Sequence, residues 1–265
     1  MVSTARPVLD RFRLDAKVAV VIGGAGRLGT HVSRALAEAG AHVVIASRDR
    51  TRCRALARGL VARGLAATAA RVDLASEASI LRLRDRLVSS YGRIDILVNG
   101  ATSGAGGLPE ATGAADWGRA LRVEATGLFL ACRYVGEVMC RQRAGAIVNV
   151  GSIYGTVAPD FGLYAGGGPP SPVTYAFVKA GMGGLTRYLA ARWARAGVRV
   201  NCVAYGGYRS GTQTRGFLRR YGARNPLGRM MSAEEIGGPV VFLASAAAAY
   251  VTGHTLLVDG GFTAR

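Results

Sequence analysis

The feature that most limits what this chain can fold into is an alternation. Short apolar runs, too short for buried helices, alternate with longer stretches whose apolar residues recur at helical spacing. The short runs are KVAVVIGG (17–24), HVVIASR (42–48), ATAARVDL (67–74), RIDILVNG (93–100), AIVNV (146–150), VRVNCVA (198–204) and TLLVD (255–259). Helical patterns cover 27–40, about 50–63, about 77–91, about 116–142 and about 173–196. Strands that are apolar on both faces need cover on both sides. The expected class is therefore α/β: a doubly wound parallel β-sheet of about seven strands flanked by helices on both faces. Neither an internal repeat nor a linker divides the chain, so residues 1–265 read as one domain with an N-terminal extension over 1–14. The segment 206–230 reads as mobile, and Ser232-Ala-Glu-Glu235 fits a capping box opening a last helix.

Between the first strand and the first helix lies Gly24-x-Gly26-x-x-Gly29. At that place in a βαβ unit, glycines let the backbone approach a pyrophosphate and the helix N-terminus receives its charge. A dinucleotide fold that uses NAD usually carries a carboxylate at the end of its second strand, on the ribose 2′-hydroxyl. Here the tip reads Ala46-Ser47-Arg48, with no acid before Asp49. Ser47 and Arg48, helped by Arg27, suit a 2′-phosphate, so NADP(H) is expected in preference to NAD(H). Arg48 also suits the start of a merely basic helix. Asp73, after the third strand, is placed to accept from an adenine amine, and Asn99 ends the fourth strand where a dinucleotide would cross the sheet. Each is equally at home as a turn residue.

The chemistry concentrates further along. Tyr175 and Lys179 stand four apart, which on a helix puts them on one face a turn apart. An ammonium beside a phenol favours phenolate and draws its pKa down from about 10. Ser152 follows the apolar run 146–150 and is placed to hydrogen-bond the same reacting oxygen. Of the 34 basic side chains only Lys17 and Lys179 are lysines. A chain that uses arginine almost everywhere has kept a lysine one turn after a tyrosine, where a compact, rotatable ammonium differs most from a guanidinium.

The net charge is +18, with arginines clustered at 48–63 and 209–229. The first cluster falls on an amphipathic helix, and neither a zinc-finger nor an RNA-recognition signature is present, so a nucleic-acid function is not expected. Cys53, Cys132, Cys140 and Cys202 show no metal-ligand spacing and read as thiols of a reducing cytoplasm. The first residues lack the apolar segment of a secretory signal, and no apolar run is long enough to span a membrane.

Taken in order, these motifs resemble the short-chain dehydrogenase/reductase family in its compact single-domain form. The similarity runs from about residue 14 to 262. It comprises the turn Gly23-Gly24-Ala25-Gly26-Arg27-Leu28-Gly29, Asp73-Leu74, Asn99-Gly100-Ala101, Ser152, Tyr175-x-x-x-Lys179 and VTGHTLLVDGG at 251–261. The resemblance implies hydride transfer between a nicotinamide and a carbonyl or alcohol carbon. It implies Tyr175 as general acid or base, Lys179 on the nicotinamide ribose and Ser152 on the substrate oxygen. Gly206 and Tyr208 fall in the loop that contacts the carboxamide, at the start of a substrate lid spanning 204–231. It further implies a homodimer or homotetramer built on the helices at about 116–142 and 173–196.

Four positions depart from the family pattern. Arg27 stands where the middle glycine of the turn is usual, Gly100 where a second asparagine is usual, and Tyr205 where a proline precedes Gly206. Glu124, in RVEATG (122–127), replaces a catalytic asparagine that holds a proton-relaying water. As a carboxylate it either keeps that relay, with Lys179 as a partner, or disfavours the Tyr175 phenolate. The loop from Ser152 to Tyr175 is about ten residues longer than is usual, a natural place for substrate selection. It carries Asp160, Phe161 and Tyr164. Such a loop resembles those of sugar, sugar-acid and polyol oxidoreductases of surface-glycan or secondary metabolism. Tyr164, Tyr205 and Arg209 are candidate substrate contacts, and Arg215, Phe217 and Arg219 add cationic and aromatic lid groups suited to a polar or anionic substrate. A 3-oxoacyl-thioester reductase docking an acidic carrier protein, and a cofactor-binding or scaffolding protein without turnover, are the alternative readings.

Overall fold

The seven apolar runs pair side by side, all parallel, in the order β3-β2-β1-β4-β5-β6-β7. They are β1 (Val18–Ile22), β2 (His42–Ser47), β3 (Ala67–Arg71), β4 (Ile96–Asn99), β5 (Gly145–Ser152), β6 (Val198–Tyr205) and β7 (Thr255–Val258). The computed structural model describes residues 7–166 and 168–264. The first six residues of the expected N-terminal extension, Gly167 and Arg265 lie outside the described residues.

Alternate residues of each strand feed two separate cores. In β1, Val18, Val20 and Ile22 face one side of the sheet, and Ala19 and Val21 face the other. The first side is covered by α3 (Glu77–Tyr91), α5 (Gly127–Gln142) and α6 (Val173–Trp193), through Leu83, Leu128 and Leu189. The second is covered by α1 (Gly29–Glu38), α2 (Arg50–Val61) and a late helix at Gly237–Ala244, through Leu36, Leu60 and Leu243. This is the doubly wound class that strands apolar on both faces require. Local signals set the helix ends: Asp49 accepts from the Arg52 amide, Ser76 from the Ser79 amide, and Gly92 closes α3 with φ +69°.

Because the strand order reverses between β1 and β4, a crevice opens at their carboxyl ends, where such folds bind ligands. Asn99 and Asn149, paired across β4 and β5, hold that region from below. Asn99 Nδ2 donates to Asn149 Oδ1 at 2.9 Å, and Asn149 Nδ2 to Thr186 Oγ1 of α6 at 3.0 Å.

Three expectations change. The single helix at 116–142 is two: α4 (Ala114–Leu121) and α5, joined by a π-helical turn at Arg122–Thr126 that carries Glu124 inward. Widened turns of this kind gather at functional sites, and no periodicity count registers one extra residue. The segment read as mobile contains a helix, α7 (Arg215–Arg224), capped by Thr214, and a parallel bridge from Tyr208 to Met231. The capping box at 232–235 forms only its return half, with the Ser232 amide donating to Glu235 Oε2 at 2.8 Å, and the last helix, α8, starts later, at Gly237. No helix among the described residues is long and apolar enough to cross a membrane.

Asp95 ties the N-terminal ends of β1 and β4 together. Its buried carboxylate accepts the Val18 amide at 3.0 Å and both nitrogens of the Arg93 fork at 2.6 and 2.8 Å. Burial pushes this carboxyl up, but Arg93, the Val18 amide and Lys17 outweigh it, and the net pKa is lowered. A carboxyl depressed on folding stabilises the protein above its ordinary range, and that contribution is lost as pH falls through the folded-state value. Asp95→Ala leaves the Val18 amide unpaired and is expected to cost about 2–3 kcal/mol. Urea denaturation at pH 7 and pH 4 checks both: the gap between wild type and variant narrows at the lower pH.

Candidate active site

The crevice at the switch point is a cleft of about 1020 Å³. Its floor is the glycine turn. Gly23 sits at φ +80°, and a Cβ there would lie 2.7 Å from the Ala101 amide nitrogen, so only glycine fits. A Cβ on Gly29 would stand 2.0 Å from the Gly23 carbonyl oxygen. The turn is thus wound directly onto the start of α1. Gly23, Gly26, Arg27 and Leu28 line the cleft from this side, and Gly100 and Ala101 line it from the end of β4. Gly24 and Gly29 serve the turn without lining the cleft. Arg27, in place of the usual glycine, faces into it.

One end of the cleft is cationic. Ser47, Arg48 and Arg52 line it together with Arg27, and none of the three arginines is in an ion pair among the described residues. The nearby acid, Asp49, is occupied in capping α2, where its Oδ1 accepts the Arg52 amide at 3.0 Å. Ser47 Oγ donates to the Asp49 carbonyl at 3.1 Å. Arg52 was not foreseen from the chain, although it follows Arg48 by four residues, the spacing that marks a shared helix face. Asp73 and Leu74 border the cleft beyond β3.

The other end holds the proton-transfer candidates. Ser152 closes β5, and both it and Lys179 are buried. Pro172 sets the start of α6, which places Tyr175 in its first turn and Lys179 in the next. Lys179 Nζ donates to the Val150 carbonyl at 2.7 Å and lies 5.3 Å from the centre of the Tyr175 ring. Tyr175, Lys179 and Ser171 line the same cleft.

The electrostatics differ from the sequence expectation. The Tyr175 phenol is raised, not lowered: burial is the largest cause, the Ser152 hydroxyl opposes it, and the charge of Glu124 adds to it. Burial lowers Lys179, while Glu124 and Cys202 pull it back up. Desolvation dominates, and it favours the protonated phenol. Glu124 is buried. Its Oε1 accepts Thr102 Oγ1 at 3.0 Å, the Ser103 amide at 2.7 Å and Ser103 Oγ at 2.6 Å, and it is not in ion-pair contact with Lys179.

Several candidates sit elsewhere. Asn99 points into the sheet interior, on Asn149, rather than into the cleft. Tyr205 is buried in the core, its hydroxyl donating to the Ile236 carbonyl, so it is not placed to touch a substrate. Tyr208 lies edge-on to His31, with its hydroxyl 3.0 Å from Nε2. Gly206 borders a second, smaller cavity of about 560 Å³. Arg209, Arg215 and Arg219 are exposed and do not line the cleft. Tyr164 binds the Tyr154 hydroxyl at 3.1 Å and packs on Phe217 of α7, while Arg224 pairs with Asp160 at 2.7 Å. The long loop after Ser152 is therefore docked on α7.

A family model described as enoyl-(acyl carrier protein) reductase matches residues 24–263. The chain is 35% identical over 260 residues to D-threitol dehydrogenase of Mycolicibacterium smegmatis, covering 96% of this chain and 95% of that protein. It is 37% identical over 262 residues to galactitol 2-dehydrogenase of Rhizobium johnstonii, covering 96% and 98%. The fold superposes with a TM-score of 0.89 on a gluconate 5-dehydrogenase from Burkholderia cenocepacia in complex with NADP and tartrate. That chain is 34% identical, with 98% of this chain and 100% of that one covered.

Gly29→Ala tests the turn. With its Cβ forced against the Gly23 carbonyl, the turn must open, and dinucleotide affinity is expected to fall by about tenfold or more. Fluorescence titration with NADPH measures this, and circular dichroism is expected to show the helical content retained.

Proposed function

The chain belongs to the short-chain dehydrogenase/reductase family, and on that premise we propose that it is an NADP(H)-dependent oxidoreductase interconverting a ketone and a secondary alcohol of a polyol or sugar-like substrate. The observation that carries this reading is one cleft with Tyr175 and Lys179 at one end, the Ser152 hydroxyl set against Tyr175, and Arg27, Arg48 and Arg52 at the other. The glycine turn leaves backbone open to a pyrophosphate, and the arginines, free of ion pairs among the described residues, offer charge-assisted hydrogen bonds to a 2′-phosphate. The bound nicotinamide supplies or accepts the hydride. In reduction, the Tyr175 hydroxyl donates its proton to the carbonyl oxygen, the Ser152 hydroxyl holds that oxygen, and Lys179 holds the ribose hydroxyls. In oxidation the Tyr175 oxygen takes the alcohol proton back. Glu124 takes the place of the family's asparagine beside them.

The substrate class is supported by the relatives named for threitol, galactitol and gluconate, all compounds with adjacent hydroxyl-bearing carbons. We assign substrate selection to the loop after Ser152 together with the lid over 204–231, Tyr164 and Phe217 forming their contact. We further propose one domain over the whole chain, a homodimer or homotetramer built on α5 and α6, and a place in the cytoplasm, in keeping with four free cysteines.

Tyr175→Phe is expected to reduce kcat by about 10²–10⁴-fold while NADPH binding is unchanged. Full turnover by this variant overturns the reading. NADPH binding with no turnover of polyols, sugar acids or β-keto thioesters by the wild type favours a non-catalytic role, and turnover of the thioesters alone favours the acyl-thioester reductase. Arg48→Ala and Arg52→Ala are each expected to weaken NADPH about tenfold and leave NADH unchanged. Since burial holds the Tyr175 proton, alcohol oxidation, which needs its base form, is expected to rise with pH into the alkaline range. Ketone reduction, which needs the acid form, falls there instead; initial rates in both directions check the sign.

A further inference from the structure

Lys179 is a buried cation whose hydrogen bond goes to a neutral carbonyl, that of Val150. An ammonium in such a place tends to lose its proton unless a negative charge faces it. The groups packed around it narrow the choice. Cys202 of β6 is pushed up to about 11 by burial, so its thiol is neutral at physiological pH. Tyr175 on the same helix and Tyr154 on the turn after β5 are both raised, chiefly by burial, and are neutral too. Ser152, Thr102 and Ser103 carry no charge. On the neighbouring α4, Asp116 is paired at the surface with Arg119 at 3.0 Å, and Arg122 on the π turn is exposed. Glu124 remains.

Its geometry is that of a held charge. The three donors of Thr102 and Ser103 all fall on Oε1, while Oε2 is buried with no hydrogen-bond partner among the described residues. An unpaired buried carboxylate oxygen is expensive unless a cation compensates it. The same clamp reaches the reacting end by a second route. The loop that Ser103 opens is fastened to the start of α6, through Thr174 Oγ1 on the Ala105 carbonyl at 2.7 Å and the Val173 amide on the Gly107 carbonyl at 2.9 Å. Tyr175 follows Thr174 directly.

We infer that Glu124 is a positioning residue that acts through Lys179: clamped by Thr102 and Ser103, it is the counter-charge that keeps the buried ammonium protonated, in the place where the family carries a neutral asparagine. This rests on the reading of Lys179 as part of the proton-transfer site. Its cost falls on Tyr175, whose phenolate the same charge disfavours.

The scarcity of lysine makes the inference directly measurable. Protein grown on ¹³C-lysine carries label only at Lys17 and Lys179, and Lys17→Arg tells the two signals apart. The ¹³Cε shift of Lys179, followed with pH in the substrate-free protein, reports its protonation. In Glu124→Gln, which keeps an acceptor oxygen for the clamp but removes the charge, the Lys179 midpoint is expected to fall by about 0.5–1 unit. Ser103→Ala, which loosens the clamp and keeps the charge, is expected to move it much less. An unchanged midpoint in Glu124→Gln, or an equal shift in Ser103→Ala, overturns the proposal. If Glu124→Gln does not fold, Glu124→Asn, the side chain usual in the family, gives the same reading. Because the titration needs no turnover, its failure is distinct from failure of the functional reading, which shows as a wild-type protein that oxidises no polyol.

Discussion

A parallel sheet cannot be closed by hairpins. Each strand of this protein must be re-entered from the same end, and each return has to cross a face of the sheet and cover it. The consequences reach every part of the molecule. Strands are apolar at consecutive positions, as in the fully buried β1, because both faces are roofed by helices. All strand carboxyl ends lie along one edge, so Ile22 finishes beside Asn99 and Ser152 beside Tyr205, although each pair is far apart in the chain. Where the winding direction changes, between β1 and β4, no helix crosses, and the cleft is what remains.

That cleft has different electrostatics at its two ends. The Arg27, Arg48 and Arg52 end is solvent-exposed and uses arginine, whose charge is insensitive to surroundings and whose fork is suited to phosphate oxygens. The Tyr175 end is buried and uses lysine, whose protonation responds to surroundings. Burial acts against both charged forms there, raising the Tyr175 phenol and lowering the Lys179 ammonium. Both shifts favour the neutral forms, a balance different from the phenolate that spacing alone implies. Glu124 enters that balance with a sign the family's asparagine does not carry.

The segment around α7 is held by contacts of another kind. Tyr164, Phe217, Tyr221 and Phe262 form a run of ring contacts with centres 5.4, 6.2 and 5.2 Å apart, linking the loop after Ser152, α7 and the last described residues. Arg220 adds a hydrogen bond to the Leu163 carbonyl at 3.0 Å. These make a small apolar cluster apart from the two cores of the sheet.

The amino-acid sequence by itself determined the seven strands and their parallel class, the tight turn at Gly23–Gly29, and the basic tip at Ser47-Arg48. It also determined that Tyr175 and Lys179 share a helix face beyond Ser152. Each of these is written in spacings of a few residues, where periodicity, turn chemistry and helix geometry operate. Only the tertiary structure decided what depends on distant partners. Ser103 and Glu124 are 21 residues apart, and nothing local to either announces the clamp. The π turn that carries Glu124 inward departs from a helical pattern by a single residue. Tyr205 stands in a loop-like stretch, yet its ring completes the core beneath Ile236. Arg52 faces the cleft because Asp49 caps α2 just ahead of it, and α7 packs by aromatic contacts on a loop more than fifty residues away. The protonation tendencies of Tyr175 and Lys179 belong to this second group. Proximity in the chain sets which charges can meet, whereas burial, a property of the assembled fold, sets what their meeting is worth.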